Sequence, residues 1–157
     1  MATPGIAKMR LEFKNLSPNP DPIYRKEGDS GFDLRVWTDT DIILHPGQRA
    51  LIHTGLYFSI PDNCELQIRP RSGCATKLGL TVINTPGTAD SNYTGELMIG
   101  AINLDKYEPI AIKNGERIAQ GVLCPVFNSY FVDLIKVDEI DKETERGADG
   151  FMSTGIE

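Results

Sequence analysis

Turn-forming residues punctuate this chain at short intervals. His45-Pro46-Gly47, Pro61-Asp62-Asn63 and Asn114-Gly115 each stand between runs rich in β-branched and aromatic residues, the arrangement of a β-sandwich or barrel. Residues 9–16 alternate Met9, Leu11 and Phe13 with Arg10, Glu12 and Lys14, the period of a half-buried strand. Further strands are expected at 41–44, in one long stretch over 48–60, and at 65–69, 97–104 and 130–137. Asn114-Gly115 lies between 110–113 and 116–122 and predicts a tight type I′ hairpin, because both turn positions need φ > 0. One short helix is expected at 72–78, with Ser72 as its N-cap.

A chain of 157 residues is the size of one domain. With 40% hydrophobic and 24% charged residues it has the composition of a soluble globule. No apolar run approaches the ~20 residues that cross a bilayer, and residues 1–16 lack the basic-then-apolar order of a secretory signal. An intracellular, cytoplasmic protein with no membrane partner is expected. Cys64, Cys74 and Cys124 are odd in number and widely spaced, which favours free thiols over a disulfide framework or zinc knuckle. His45 and His53 have no Cys or His neighbour, so a transition-metal site is not expected. A net charge of −6 argues against a nucleic-acid surface. It leaves room for a single nucleotide, whose phosphates need only a few cations. Arg71, Lys77, Arg117 and Arg146 are candidates, each equally readable as solvated surface charge.

Five places carry chemistry-bearing residues. Gly31-Phe32-Asp33-Leu34 sets one carboxylate among apolar neighbours, as a turn Asp also does. Pro70-Arg71-Ser72-Gly73 follows a strand and opens the expected helix, which aims backbone N–H groups and a hydroxyl at an anion or simply caps the helix. Residues 87–96 hold Asp90, Tyr93, Gly95 and Glu96 after Thr85-Pro86-Gly87, in what reads otherwise as a decorated hairpin loop. Arg117-Ile118-Ala119-Gln120-Gly121, read as a regular strand, puts Arg117, Ala119 and Gly121 on one face and Ile118 and Gln120 on the other. The last place is the tail. Residues 1–137 form the expected β domain and 138–157 a mobile Gly-rich arm, which reads as a frayed end. Yet Arg146, Phe151, Ser153 and Thr154 stand there among glycines, a composition that also suits anionic oxygens.

Together and in this order, the five segments resemble the motifs of the trimeric dUTPase family. They are Gly31-Phe32-Asp33-Leu34, Pro70-Arg71-Ser72-Gly73, Gly87 through Glu96, Gly115-Glu116-Arg117-Ile118-Ala119-Gln120, and Arg146 through Gly155. The likeness spans roughly residues 8–155, so it is far more specific than any single motif. It implies an all-β, jelly-roll-like barrel of short antiparallel strands with one short helix, assembled as a homotrimer with shared active sites. The activity implied is Mg²⁺-dependent cleavage of dUTP to dUMP and pyrophosphate, by in-line attack of water on the α-phosphorus. Such an activity limits uracil in DNA and supplies dUMP for thymidylate synthesis.

The resemblance also implies roles. Asp90 is the base, with Arg71 and Gln120 at the phosphates. Ser72 and Gly73 also hold phosphate; Asn84, Gly87 and Thr88, within the run 79–88, belong to a uracil-receiving β-hairpin. Tyr93 packs under deoxyribose. In the fifth motif Arg146, Ser153 and Thr154 meet the γ-phosphate and Phe151 covers the base. Asp33 holds Mg²⁺ through water, the remaining ligands coming from substrate phosphates. Two positions depart from the family pattern: Ala89 replaces the Ile before Asp90, and Met152 replaces the Gly between Phe151 and Ser153. Two alternatives stand beside this reading. One is a dUTPase-like nucleotide-binding regulator acting on a protein partner. The other is dCTP deaminase, whose catalytic Glu falls where this chain has Gly100.

Overall fold

The computed structural model describes residues 8–140, 142–144 and 147. Among them lie eleven strands and one short helix, and every ladder is antiparallel. The strands β1 (Glu12–Asn15), β2 (Phe32–Arg35), β3 (Ile42–Leu44), β4 (Arg49–Ile52), β5 (Leu56–Ser59) and β6 (Cys64–Pro70) precede α1 (Ser72–Leu78). After it come β7 (Leu80–Val82), β8 (Gly87–Ala89), β9 (Ile99–Asn103), β10 (Ile110–Ile112) and β11 (Arg117–Pro125). They make a four-stranded sheet β2-β11-β6-β8, a three-stranded sheet β4-β9-β7, and the pairs β1-β5 and β3-β10. Among the described residues these ladders do not join into one closed barrel.

Period-two burial gives the sheets their inner face. Leu34, Leu66, Ile68, Ile99 and Ala101 point into one core and their neighbours point out, as in antiparallel sheets solvated on one side. The buried polar residues are Thr54 and Asn103, and both are hydrogen-bonded, as burial demands. Asn103 Nδ2 donates to Leu44 O at 2.8 Å and Glu108 O at 2.9 Å, while its Oδ1 accepts from Asp105 N at 2.8 Å. Thr54 Oγ1 donates to Leu97 O.

Several expectations change here. The stretch 48–60 is two strands in different sheets, broken at His53-Thr54-Gly55, where Gly55 takes φ 71°. A Cβ on Gly55 would lie 2.8 Å from the Ser17 backbone N and 2.9 Å from the Trp37 ring, so the chain crosses between sheets where no side chain fits. Asn114-Gly115 does turn the chain, with Gly115 at φ 81° and Glu116 N donating to Lys113 O at 3.2 Å. The flanking strands nevertheless pair elsewhere, β10 with β3 and β11 with β2 and β6. The turn is a corner between sheets, not a hairpin. Likewise β7 pairs with β9 and β8 with β6, so within the run 79–88 the two strands are joined by a crossover at 83–86 and do not ladder with each other. Residues 130–137 carry no strand; Leu134 is 99% exposed. The helix α1 is present, but its N-cap is Arg71, with no side-chain cap bond; Ser72 is its first residue.

Gly55→Ala combines left-handed geometry, costing about 1–2 kcal/mol, with a backbone clash. A loss of at least about 2 kcal/mol is expected, lowering the melting temperature by about 4 °C or more. An unchanged thermal melt would mean that the β4–β5 break does not need glycine.

Candidate functional site

The centre of the four-stranded sheet departs from regular alternation. Between Arg117 and Ala119 the register of β11 against β2 slips by one residue, as a β-bulge requires. Ile118 and Ala119 are both buried. Arg117 therefore lies opposite Arg35, and Gln120 opposite Asp33 and Arg69, all on the outward face. This corrects the expectation that Arg117 and Gln120 point opposite ways. Their convergence on Asp33 depends on the extra residue.

Asp33 is the hub of that face. Its Oδ1 meets Arg71 Nε at 2.9 Å, and its Oδ2 meets Arg25 Nε at 2.9 Å and Arg117 Nη1 at 3.0 Å. Partial burial alone would raise its pKa, but the bonds from Arg25 and Arg117 and the charges of Arg71 and Arg117 outweigh this and lower it. Arg71 Nη1 also donates to Arg117 O at 2.8 Å. Gln120 Nε2 donates to Pro70 O at 3.0 Å. A Cβ on Gly31 would lie 2.6 Å from Gln120 Oε1, so the first-motif glycine makes room for the fourth-motif amide.

Arg25, Gly31, Asp33, Arg71 and Gln120 line a cleft of ≈ 530 Å³ with Ser72, Gly73, Lys77 and Asp29, while Arg117 is bonded to Asp33 from outside the lining. At the start of α1 the first backbone N–H groups have no intrahelical acceptor, and the space beside Gly73 is open. Cations, a hydroxyl and free N–H groups on one wall suit a polyphosphate. Among the described residues no cluster of three or more His, Cys, Asp or Glu side chains is placed to hold a metal. Both Asp33 oxygens are engaged by guanidinium groups. That donor set does not cage a bare cation. Mg²⁺ would fit here only by arriving with phosphate oxygens and keeping its own waters.

A second cleft of ≈ 360 Å³ is lined by Ile83, Asn84, Gly87, Thr88, Tyr93, Glu96, Met98 and Gly100 among others. It shares no lining residue with the first. Tyr93 OH donates to Glu96 O at 2.8 Å and packs so near Gly95 that a Cβ there would sit 2.5 Å from the hydroxyl. Glu96 Oε1 accepts from Thr54 N at 3.1 Å and Gly55 N at 2.8 Å, and Oε2 meets His53 Nδ1 at 2.8 Å. Burial opposes ionisation of Glu96, yet these bonds lower its pKa. Asp90 is exposed at the end of β8, lines neither cleft, and accepts at its carbonyl from Tyr93 N at 3.0 Å.

The sequence-derived residues thus fall into two groups. Asp33, Arg71, Ser72, Gly73 and Gln120 meet in the first cleft, and Asn84, Gly87, Thr88 and Tyr93 in the second. Arg146, Phe151, Met152, Ser153 and Thr154 lie outside the described residues. Arg25 and Glu96 were not singled out by sequence for what they do here. Arg25 sits in an irregular loop, where no periodicity marks a side chain as inward-facing.

An antiparallel β protein whose cationic cleft opens at the start of one short helix, with a second cleft elsewhere, is of a class suited to anionic ligands. The dUTPase family model matches residues 18–155. The deoxyuridine 5'-triphosphate nucleotidohydrolase of Ehrlichia canis is 48% identical over 151 residues, covering 96% of this chain and 95% of its own. That of Bdellovibrio bacteriovorus is 52% identical over 134 residues, covering 85% and 87%. The dUTPase of Staphylococcus bacteriophage 80alpha, solved with dUpNHpp, superposes with a TM-score of 0.82 at 28% identity over 95% of this chain and 100% of that one. The chain belongs to the dUTPase family.

Asp33→Asn removes the charge that holds three guanidinium groups. Because the folded pKa lies below the ordinary value of 3.8, the charge stabilises fully above that pH and less as pH falls through the folded pKa. Wild type should melt about 4 °C above the variant at neutral pH, the gap closing below about pH 4. A gap unchanged down to about pH 3 would contradict the ion-pair account.

Proposed function

We propose that this protein hydrolyses dUTP to dUMP and pyrophosphate. The observation that carries the reading is the gathering of the first, second and fourth family motifs around Asp33 in one cationic cleft. Arg71, Ser72 and Gly73 donate to the phosphate chain, and Gln120 borders it. Asn84 pairs with the uracil edge, Gly87 and Thr88 shape the loop beside it, and Tyr93 lies under the sugar. Asp90 takes a proton from the water that attacks the α-phosphorus as the bond to the β-phosphate oxygen breaks. Asp33 would hold Mg²⁺ through its waters when the triphosphate brings it, and the ion would supply neutralisation of phosphate charge. Arg146, Ser153 and Thr154 of the fifth motif contact the γ-phosphate and Phe151 the base. Phosphoryl transfer asks mainly for such positioning and charge stabilisation.

The active unit is a homotrimer with sites shared between subunits. Two features support this: the separate clefts on one chain, and the apolar segment with Phe127 88%, Leu134 99% and Ile135 79% exposed, unusual for a free soluble monomer. Gly100 packs beside Ile83 and Asn84 and brings no carboxylate to the second cleft, which disfavours deamination.

Pyrophosphate release with dUTP, dTTP, dCTP and UTP tests the assignment. Turnover of dUTP should exceed that of the other three by far; equal turnover of dTTP would remove the uracil reading. Asp90→Asn should lower kcat by about 10²–10⁴-fold with nucleotide affinity kept. A variant within threefold of wild type would show that Asp90 is not the base.

A further inference from the structure

We propose that Arg25, outside the five motifs, is a further triphosphate-binding residue of the first cleft, oriented by Asp33. The proposal rests on the dUTPase reading and extends its phosphate site. Arg25 stands on the irregular segment between β1 and β2, which is pinned on both sides. Before it, Tyr24 packs edge-on against Phe32, with centroids 5.7 Å apart at 88°. After it, Asp29 Oδ2 accepts from Lys26 N at 2.9 Å, and Asp29 N donates to Lys26 O at 3.2 Å, closing a tight turn.

From that fixed base the guanidinium reaches the cleft wall. Only Nε is spent on Asp33, at 2.9 Å, and the side chain remains 51% exposed. Among the described residues the two Nη groups have no hydrogen-bond partner. Arg71 is tethered in the same way, by its own Nε to the other Asp33 oxygen. The carboxylate thus orients two forks side by side, and an arginine fork is suited to paired phosphate oxygens.

Charge balance points the same way. Besides Arg25, the charged groups lining this cleft are Arg71 and Lys77 against Asp29 and Asp33, with Arg117 bonded to Asp33 from outside the lining. Arg25 adds a further exposed positive charge to the lining, which favours a polyanion. Asp29 is already turned towards its own loop backbone, so it does not occupy the Arg25 fork.

The test compares wild type, Arg25→Ala and Arg25→Lys by calorimetric affinity for a non-hydrolysable dUTP analogue and for dUMP, with thermal melts alongside. Arg25→Ala should weaken the analogue about tenfold, as loss of a charge-assisted contact does, and leave dUMP within about twofold, since dUMP lacks the outer phosphates. Arg25→Lys, which keeps the charge but loses the fork, should fall between them. Equal analogue affinity in wild type and Arg25→Ala overturns the proposal. So does an equal loss for dUMP and analogue, which would mean that Arg25 only shapes the cleft. A wild type that fails to bind the analogue overturns the dUTPase reading and this proposal together, whereas a binding wild type with an unaffected Arg25→Ala overturns this proposal alone.

Discussion

Both oxygens of the Asp33 carboxylate are held by guanidinium groups that arrive from three separate parts of the chain. Arg25 comes from the loop before β2, Arg71 from the entrance of α1, and Arg117 from the bulged start of β11. Three like charges so close together would repel, and the shared carboxylate makes their convergence favourable while holding each at a fixed angle. It fixes the cleft wall before any nucleotide enters, the condition for electrostatic preorganisation. The same bonds keep the Asp33 pKa low, so the arrangement persists across neutral pH.

The sheet behind this cluster places its members. β11 pairs with β2 on one side and β6 on the other, so first-, second- and fourth-motif residues are neighbours across ladders despite their distance in sequence. The bulge at Arg117–Ala119 aims Arg117 and Gln120 outward together. Glu96 does a similar task at the second cleft. It ties the backbone break at Thr54-Gly55 and the ring of His53 to the end of the third motif, where Tyr93 is anchored on its carbonyl. Each cleft is therefore organised by one carboxylate with a depressed pKa.

Local signals were legible in the sequence and non-local ones were not. The strand expected at 65–69 after the Pro61-Asp62-Asn63 turn and the position of α1 follow from patterns within a few residues, and both are present. Asn114-Gly115 correctly marks a turn, but a turn dipeptide says nothing about which strands pair beyond it. Here each flank finds partners elsewhere, through Leu44 on one side and Leu34 on the other. The break at Gly55 is invisible in the run 48–60 because its cause, the Ser17 backbone and the Trp37 ring, comes from other segments. A period-two reading of residues 117–121 misses the bulge for the same reason. At the site, the family motifs name the residues of both clefts, whereas Arg25 emerges only when the loop is seen folded onto Asp33.

On one chain, the phosphate-facing cleft and the Asn84–Tyr93 cleft share no wall. The proposed function needs them to meet around one nucleotide, which the proposed trimer would achieve between neighbouring subunits. The most direct measurement is dUTP turnover of Arg71→Ala and Asp90→Asn proteins, assayed singly and after unfolding and refolding together. Each variant alone has no intact shared site. In mixed trimers an Asp90→Asn subunit supplies a sound phosphate cleft and an Arg71→Ala neighbour a sound base, so random mixing restores about a quarter of wild-type activity. A co-refolded mixture no more active than its separate components would place each complete site within one chain and contradict the account.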